Sequence, residues 1–194
     1  WSSDVCSSDL GFSIATFATP ASGNFTVGHG LPAAPHFIMT KNRSGTNNWT
    51  MYHRSTGATG YILFTSGAFV ADSRPWNDTV PSSTTWGSSV NGWWPANQNL
   101  VAYCWTEIPG YSSFNSYTGN GSTDGPFVYT GFKPKYVMIK LSSSGGSGDE
   151  GWAIYDGARN TYNYADSFLI ANASDAQFNG GSSYPGVDFL SNGI

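Results

Sequence analysis

The chain is 194 residues long, with 10% charged residues, 16% aromatic residues and a formal net charge of −4. Lys, Arg and Glu are too scarce for a helical bundle, and the eight scattered cations form no basic stripe for a phosphate backbone, so nucleic acid is excluded as a partner. No apolar run approaches the roughly 18 residues of a spanning helix, so no membrane insertion is expected, and the aromatic content is too high for a disordered segment. The class that remains is all-β with many polar turns.

Residues 1–10, WSSDVCSSDL, have neither the basic start nor the apolar centre of a signal peptide. Residues 4–10 are what a common sequencing-library adapter encodes in one frame. Residues 1–10 are therefore read as an adapter artefact, with a natural Ser-rich terminus as the alternative. On the artefact reading Cys6 is foreign and Cys104 a lone thiol. On the other, the two cysteines could in principle pair, and the redox compartment stays open.

From residue 11 onward, short segments rich in aromatic and β-branched residues alternate with Gly, Pro, Asn and Ser clusters. Strands are predicted at 12–17, 25–27, 36–41, 49–53, 61–65, 84–86 and 100–106. A second series is predicted at 113–118, 127–130, 136–141, 152–156, 167–171 and 187–190. The segment 156–166 is the least strand-like and is expected to hold a short helical turn.

The second series repeats the first. Pro35-His36-Phe37-Ile38-Met39-Thr40-Lys41 matches Pro134-Lys135-Tyr136-Val137-Met138-Ile139-Lys140. Asn48-Trp49-Thr50-Met51-Tyr52-His53 matches Gly151-Trp152-Ala153-Ile154-Tyr155-Asp156. Tyr61-Ile62-Leu63-Phe64 is set against Ser167-Phe168-Leu169-Ile170, and Trp86 against Phe189. Two tandem antiparallel β-sandwich units follow, 11–106 and 107–194, with a single composite sandwich as the alternative. Repeat one runs on past Trp86 into the strand at 100–106, whereas repeat two stops at Ile194. The second unit is therefore expected to be incomplete, and the natural protein longer at both ends.

Alternation places Trp49, Met51 and His53 on one strand face and Thr50 and Tyr52 on the other. Trp49 and Met51 are expected in the core with Tyr52 opposite. Trp152 and Ile154 are expected there likewise, with Tyr155 opposite.

Chemistry-bearing residues are sparse. His29, His36 and His53 lack the short ligand spacings of a zinc site, so no metal is expected. Glu107 and Glu150 do not form the clustered carboxylate signature of a glycosidase. The Gly-rich stretch at 145–148 precedes a strand and offers no helix N-terminus to a phosphate. No catalytic residue and no cofactor is expected. Trp76, Trp93 and Trp94, in polar loops, are the ligand-binding candidates, because exposed indoles stack on sugar faces or anchor interfaces. The alternative is that they cap the open end of the core.

Several separated strings occur in order: VGHGLPAAPHFIMTKNRS from Val27, NLVAYCWTEIPGYSSFNSYTGNG from Asn99, SYTGNGSTDGPFVYTGFKPKYVMIK from Ser116, IYDGARN from Ile154 and VDFLSNG from Val187. Together they resemble a domain of unknown function repeated in structural proteins of tailed, especially marine, bacteriophages, over nearly the whole chain from Gly11. The resemblance implies a non-enzymatic virion protein of tail-fibre or decoration type, with jelly-roll or concanavalin-like sandwiches. Its partners would be other virion proteins and a host-surface glycan, and its location the virion. It brings no catalytic residues. A secreted carbohydrate-binding module and a polysaccharide-active enzyme, a glycosidase or lyase, are the alternatives.

Overall fold

The computed structural model describes residues 11–143, 151–180 and 186–194 together with the backbone of 5–7. The rest of the adapter-like segment, the Gly-rich stretch 145–148 and Glu150 lie outside the described residues. The protein is all-β. Its strands, in chain order, are β1 (Val5–Ser7), β2 (Phe12–Ala18), β3 (Asn24–Gly28), β4 (Phe37–Asn42), β5 (Thr50–His53) and β6 (Ile62–Leu63). They continue with β7 (Thr85–Ser89), β8 (Asn99–Trp105), β9 (Tyr136–Ile139), β10 (Ala153–Asp156) and β11 (Leu169–Ile170). Every strand pair is antiparallel. The chain divides into two compact units, one of residues 1–64 and 68–108, the other of 65–67 and 109–194.

In the first unit, six strands form a sheet in the order β1-β2-β8-β4-β5-β6, and β3 pairs with β7 in a separate two-stranded sheet. The two sheets form a sandwich. Ala15, Ile38, Tyr52, Ala102 and Cys104 of the larger sheet share one buried cluster with Val27 and Trp86 of the smaller. The small side chains of Ala15 and Ala102 leave room for large rings, as close packing requires. Trp76 fills that room from a 3-10 turn, Arg74–Trp76, whose Pro75 presets the backbone angle. Its ring meets Trp86 edge-on at 5.7 Å and Tyr52 at 5.6 Å, and Phe17 meets Trp86 at 5.6 Å. Such edge-to-face pairs add to the area that each ring buries.

The other face of the large sheet is also aromatic. Phe12 lies 5.1 Å from Trp105, Trp105 lies 5.5 Å from Phe37, and Tyr103 lies 5.9 Å from Trp49. This pattern corrects the expected facing. Met51 is fully buried but points to this second face, while Tyr52 joins the sandwich core. Alternation separates two faces without saying which one meets the second sheet, and here both carry apolar rings.

The second unit contains the three-stranded sheet β11-β10-β9. Tyr155, Ala165, Phe168 and Phe189 form its core. Tyr155 therefore faces inward, again the reverse of expectation, and burial pushes its phenol up to about 12, keeping it neutral. No strand forms over 113–118. The strands expected at 127–130 and 187–190 shrink to single bridges, Tyr129 with Gly193 and Val187 with Ala165. Strand-forming residues alone do not make a strand, since sheet formation also needs a continuous ladder. The segment 156–166 opens with one short turn, in which the Asn160 amide donates to Asp156 O at 3.5 Å. The Asp156 carboxylate accepts the Ala158 amide at 3.1 Å and the Arg159 amide at 2.7 Å.

The meanders β4-β5-β6 and β9-β10-β11 share one register. Ile38 faces Tyr52 as Val137 faces Tyr155, and Met51 faces Ile62 as Ile154 faces Leu169. Hydrogen bonds outside the strands agree. Arg54 donates to His36 O at 2.8 Å as Gly157 donates to Lys135 O at 3.0 Å. Phe64 donates to Trp49 O at 3.1 Å as Ala171 donates to Trp152 O at 2.8 Å. This register moves one expected equivalence. Tyr61 corresponds to Phe168, since both are buried and each starts a bridge, to Val70 and to Phe178. In the first unit Val27 faces Trp86, and in the second Val128 exchanges bonds of 2.8 and 3.0 Å with Ile194.

Candidate functional site

The three candidate tryptophans separate into two settings. Trp76 is 1% exposed inside the sandwich core and has no face free to stack on a ligand. Its place next to Pro75 suggested a loop tip; the 3-10 turn instead rolls the ring inward. Trp93 and Trp94 lie on the loop between β7 and β8 and line one open cleft of about 420 Å³. Facing them is the loop between β4 and β5, which supplies Thr46, Asn47 and Asn48, with Thr50 and Leu63 beside them.

The first loop is fixed by Gly92, whose φ of +81° favours glycine. Its carbonyl accepts Arg74 Nη1 at 3.0 Å, and a Cβ there would stand 2.9 Å from the same nitrogen. Asp72 holds Arg74 in turn through Nε at 2.9 Å, and this hydrogen bond lowers the Asp72 pKa. Trp94 is buried and anchored by its amide, which donates to Ser89 O at 3.3 Å. Trp93 is half-buried, 4.4 Å from the Tyr61 ring and 6.1 Å from Trp94. The Nε1 atoms of Trp93 and Trp94 are buried without a hydrogen-bond partner among the described residues. The Nε1 atoms of the core rings Trp76 and Trp86 are in the same condition.

The second loop is built by asparagines. Asn42 Nδ2 donates to Asn47 Oδ1 at 2.9 Å, and Asn42 Oδ1 accepts the Ser44 amide at 2.8 Å. Lys41 Nζ donates to Asn47 O. Asn48 and Thr46 are exposed. The cleft thus offers indole surface, amide groups and hydroxyls, and among the described residues no charged side chain lines it. Such groups suit a neutral, hydroxyl-rich ligand. Thr46, Asn47 and Asn48 were not singled out from sequence. Their signal was the polar run Asn-Arg-Ser-Gly-Thr-Asn-Asn directly before a strand.

The histidines serve the fold. His29 is fully buried: its Nδ1 accepts the Leu31 amide at 3.1 Å and its Nε2 donates to Ser82 O at 3.2 Å, which fixes the neutral tautomer. Burial lowers its pKa. His36 Nδ1 accepts the Glu107 amide at 3.0 Å, and its Nε2 lies 3.7 Å from Glu107 Oε2. Burial lowers the pKa of His36 and of His53 as well. Among the described residues no group of three His, Cys, Asp or Glu side chains could hold a metal ion. Cys104 is fully buried in the core, and the side chain of Cys6 lies outside the described residues.

Fold and cleft together define an all-β protein of antiparallel sheets with an aromatic, uncharged surface cleft. The chain belongs to the family described as Domain of unknown function (DUF7483), whose model matches residues 2–194. No curated protein and no solved structure matches it.

Proposed function

We propose that this protein is a non-enzymatic structural module of a bacteriophage virion, of tail-fibre or decoration type, that meets a host-surface glycan at the Trp93–Trp94 cleft. The observation that carries the glycan reading is the cleft itself. A half-buried indole stands beside two asparagines and a threonine with no ionisable group among them. A sugar presents an apolar ring face to an indole and hydroxyls to amides. The virion reading rests on the ordered strings from Val27 to Gly193 that resemble phage structural proteins. The two tandem units are read as an internal duplication, which the shared register of the two meanders supports.

A glycan array probed with the full chain tests the cleft, followed by titration of Trp93→Ala and Asn48→Ala against any hit. The expected result is binding to a neutral glycan, weakened at least about tenfold by either substitution, as for loss of one stacked ring or one hydrogen bond to a sugar. No binding to any glycan, or binding indifferent to both substitutions, overturns the glycan reading. A secreted carbohydrate-binding module would use the same cleft. Capsid and tail genes beside the coding sequence support the virion reading, and glycosidase genes overturn it.

A further inference from the structure

The Trp93 ring and the backbone that carries it are tied to the same stretch of chain. Tyr61 and Val70 form an antiparallel bridge in which each amide donates to the other's carbonyl, at 3.0 and 2.9 Å. The bridge is tight at its base, since a Cβ on Gly60 would stand 2.2 Å from Val70 O. From Tyr61 the contact runs through the ring, which lies 4.4 Å from that of Trp93. From Val70 it runs through the backbone, where the carbonyl accepts the Asp72 amide at 3.0 Å. The Asp72 carboxylate grips one side of the Arg74 guanidinium, accepting Nε at 2.9 Å and Nη2, and it also accepts the Arg74 amide at 3.1 Å. Nη1 is thereby aimed at Gly92 O, 3.0 Å away and one residue before Trp93. The contacts close a circuit through Tyr61, Val70, Asp72, Arg74, Gly92 and Trp93.

We propose that Asp72 is a positioning residue for the cleft, which through Arg74 and Gly92 presets the Trp93 indole for a ligand that Asp72 itself does not touch. Neither Asp72 nor Arg74 lines the cleft. The Arg74 backbone is fixed independently, by the 3-10 turn with its buried Pro75 and Trp76. Its side chain is 54% exposed and has long, flexible stems to order. A two-point grip on a planar guanidinium fixes its direction, where a single contact would not. Asp72 therefore decides whether a donor stands ready at Gly92 O. A ring held in place beforehand loses less conformational freedom when a ligand stacks on it. A carboxylate outside the cleft thus governs affinity for an uncharged ligand. What the ring is held ready for rests on the glycan reading; the holding itself does not.

Fluorine NMR of the full chain labelled with 5-fluorotryptophan reads the ring directly, with the Trp93 line assigned by its loss in Trp93→Phe. Asp72→Asn removes the charge at nearly constant shape. It should shift or broaden the Trp93 line while the other indole lines, Trp94 excepted, hold. Asp72→Glu keeps the charge and should restore the line in part. Arg74→Ala should reproduce the effect, and adding Asp72→Asn to it should change nothing further, because one path carries both. Affinity for the neutral glycan found on the array should fall about threefold in Asp72→Asn, as for loss of an exposed ion pair. A Trp93 line unmoved by Asp72→Asn overturns the assignment. So does a shift shared by every indole, which marks general loosening, and so does an additive double variant, which marks action outside Arg74. A moved line with unchanged glycan affinity overturns it as well. If the wild-type chain binds no glycan, the glycan reading falls, and the Trp93 line alone decides whether Asp72 positions the ring.

Discussion

Tyr52 and Tyr155 hold the same position in two different sheets: each lies opposite an aliphatic residue, Ile38 or Val137, and each turns its ring into the core of its own unit. Burial raises the pKa of both phenols. Truncating either ring should be expensive. Tyr52→Ala and Tyr155→Ala are each expected to destabilise the chain by about 3–5 kcal/mol, the range for emptying an aromatic core position. Chemical denaturation followed by tryptophan fluorescence and circular dichroism measures the loss, and a cost below about 1 kcal/mol would contradict the core assignment.

Gly92 couples the cleft to the fold. An alanine there would hold an unfavourable φ near +81° and crowd Arg74 Nη1. Gly92→Ala is expected to cost about 1–2 kcal/mol and to weaken any glycan bound at Trp93. Gly110→Ala is the control. Its φ is +77° with open space around it, so it should cost about 1 kcal/mol without touching the cleft.

Acid should destabilise the protein through its histidines. Burial lowers the pKa of His29, His36 and His53 below the ordinary value of 6.5. The unfolded chain thus binds more protons near that pH than the folded chain does. Stability is complete above pH 6.5 and falls as pH drops below it toward the folded values. Thermal unfolding between pH 8 and pH 5 should show a falling midpoint. His29→Gln should flatten that fall, since its ring is buried with both nitrogens engaged.

Asp156 closes the turn after β10 through two backbone amides and through Arg159 Nε at 3.2 Å. Asp156→Ala should cost about 0.5–2 kcal/mol, as for loss of a capping side chain, and Asp156→Asn should recover part of it. Urea melts of the three chains give the comparison.

Much of this architecture was legible in the residues. The segments around Phe37, Met51, Val101, Met138 and Ile154 read as strands because their neighbours alternate and Gly or Asn clusters bound them. The facing of Tyr52 was not legible, since Met51 beside it is equally apolar and only the position of the second sheet decides between them. Nor was the equivalence of Tyr61 with Phe168. A loop length shifts the third strand by one residue, and a one-residue slip exchanges the faces. In the site, Trp93 and Trp94 stood out as a pair, while Trp76 beside Pro75 looked the same locally and went to the core. Asn47 and Asn48 gave only a polar run until β4 and β5 brought them opposite the indoles.

The strand order of the large sheet also sets a timetable. β8 sits in the middle, yet it is the last strand of its unit to be synthesised. Until Asn99–Trp105 leaves the ribosome, neither β2 nor β4 has its central neighbour, and Trp86 has only half a core to enter. The unit closes late and through contacts distant in sequence, which makes for slow folding. During that interval the nascent chain carries two open hydrophobic strands. The sparse charge that suits the finished surface gives them little protection from neighbouring chains.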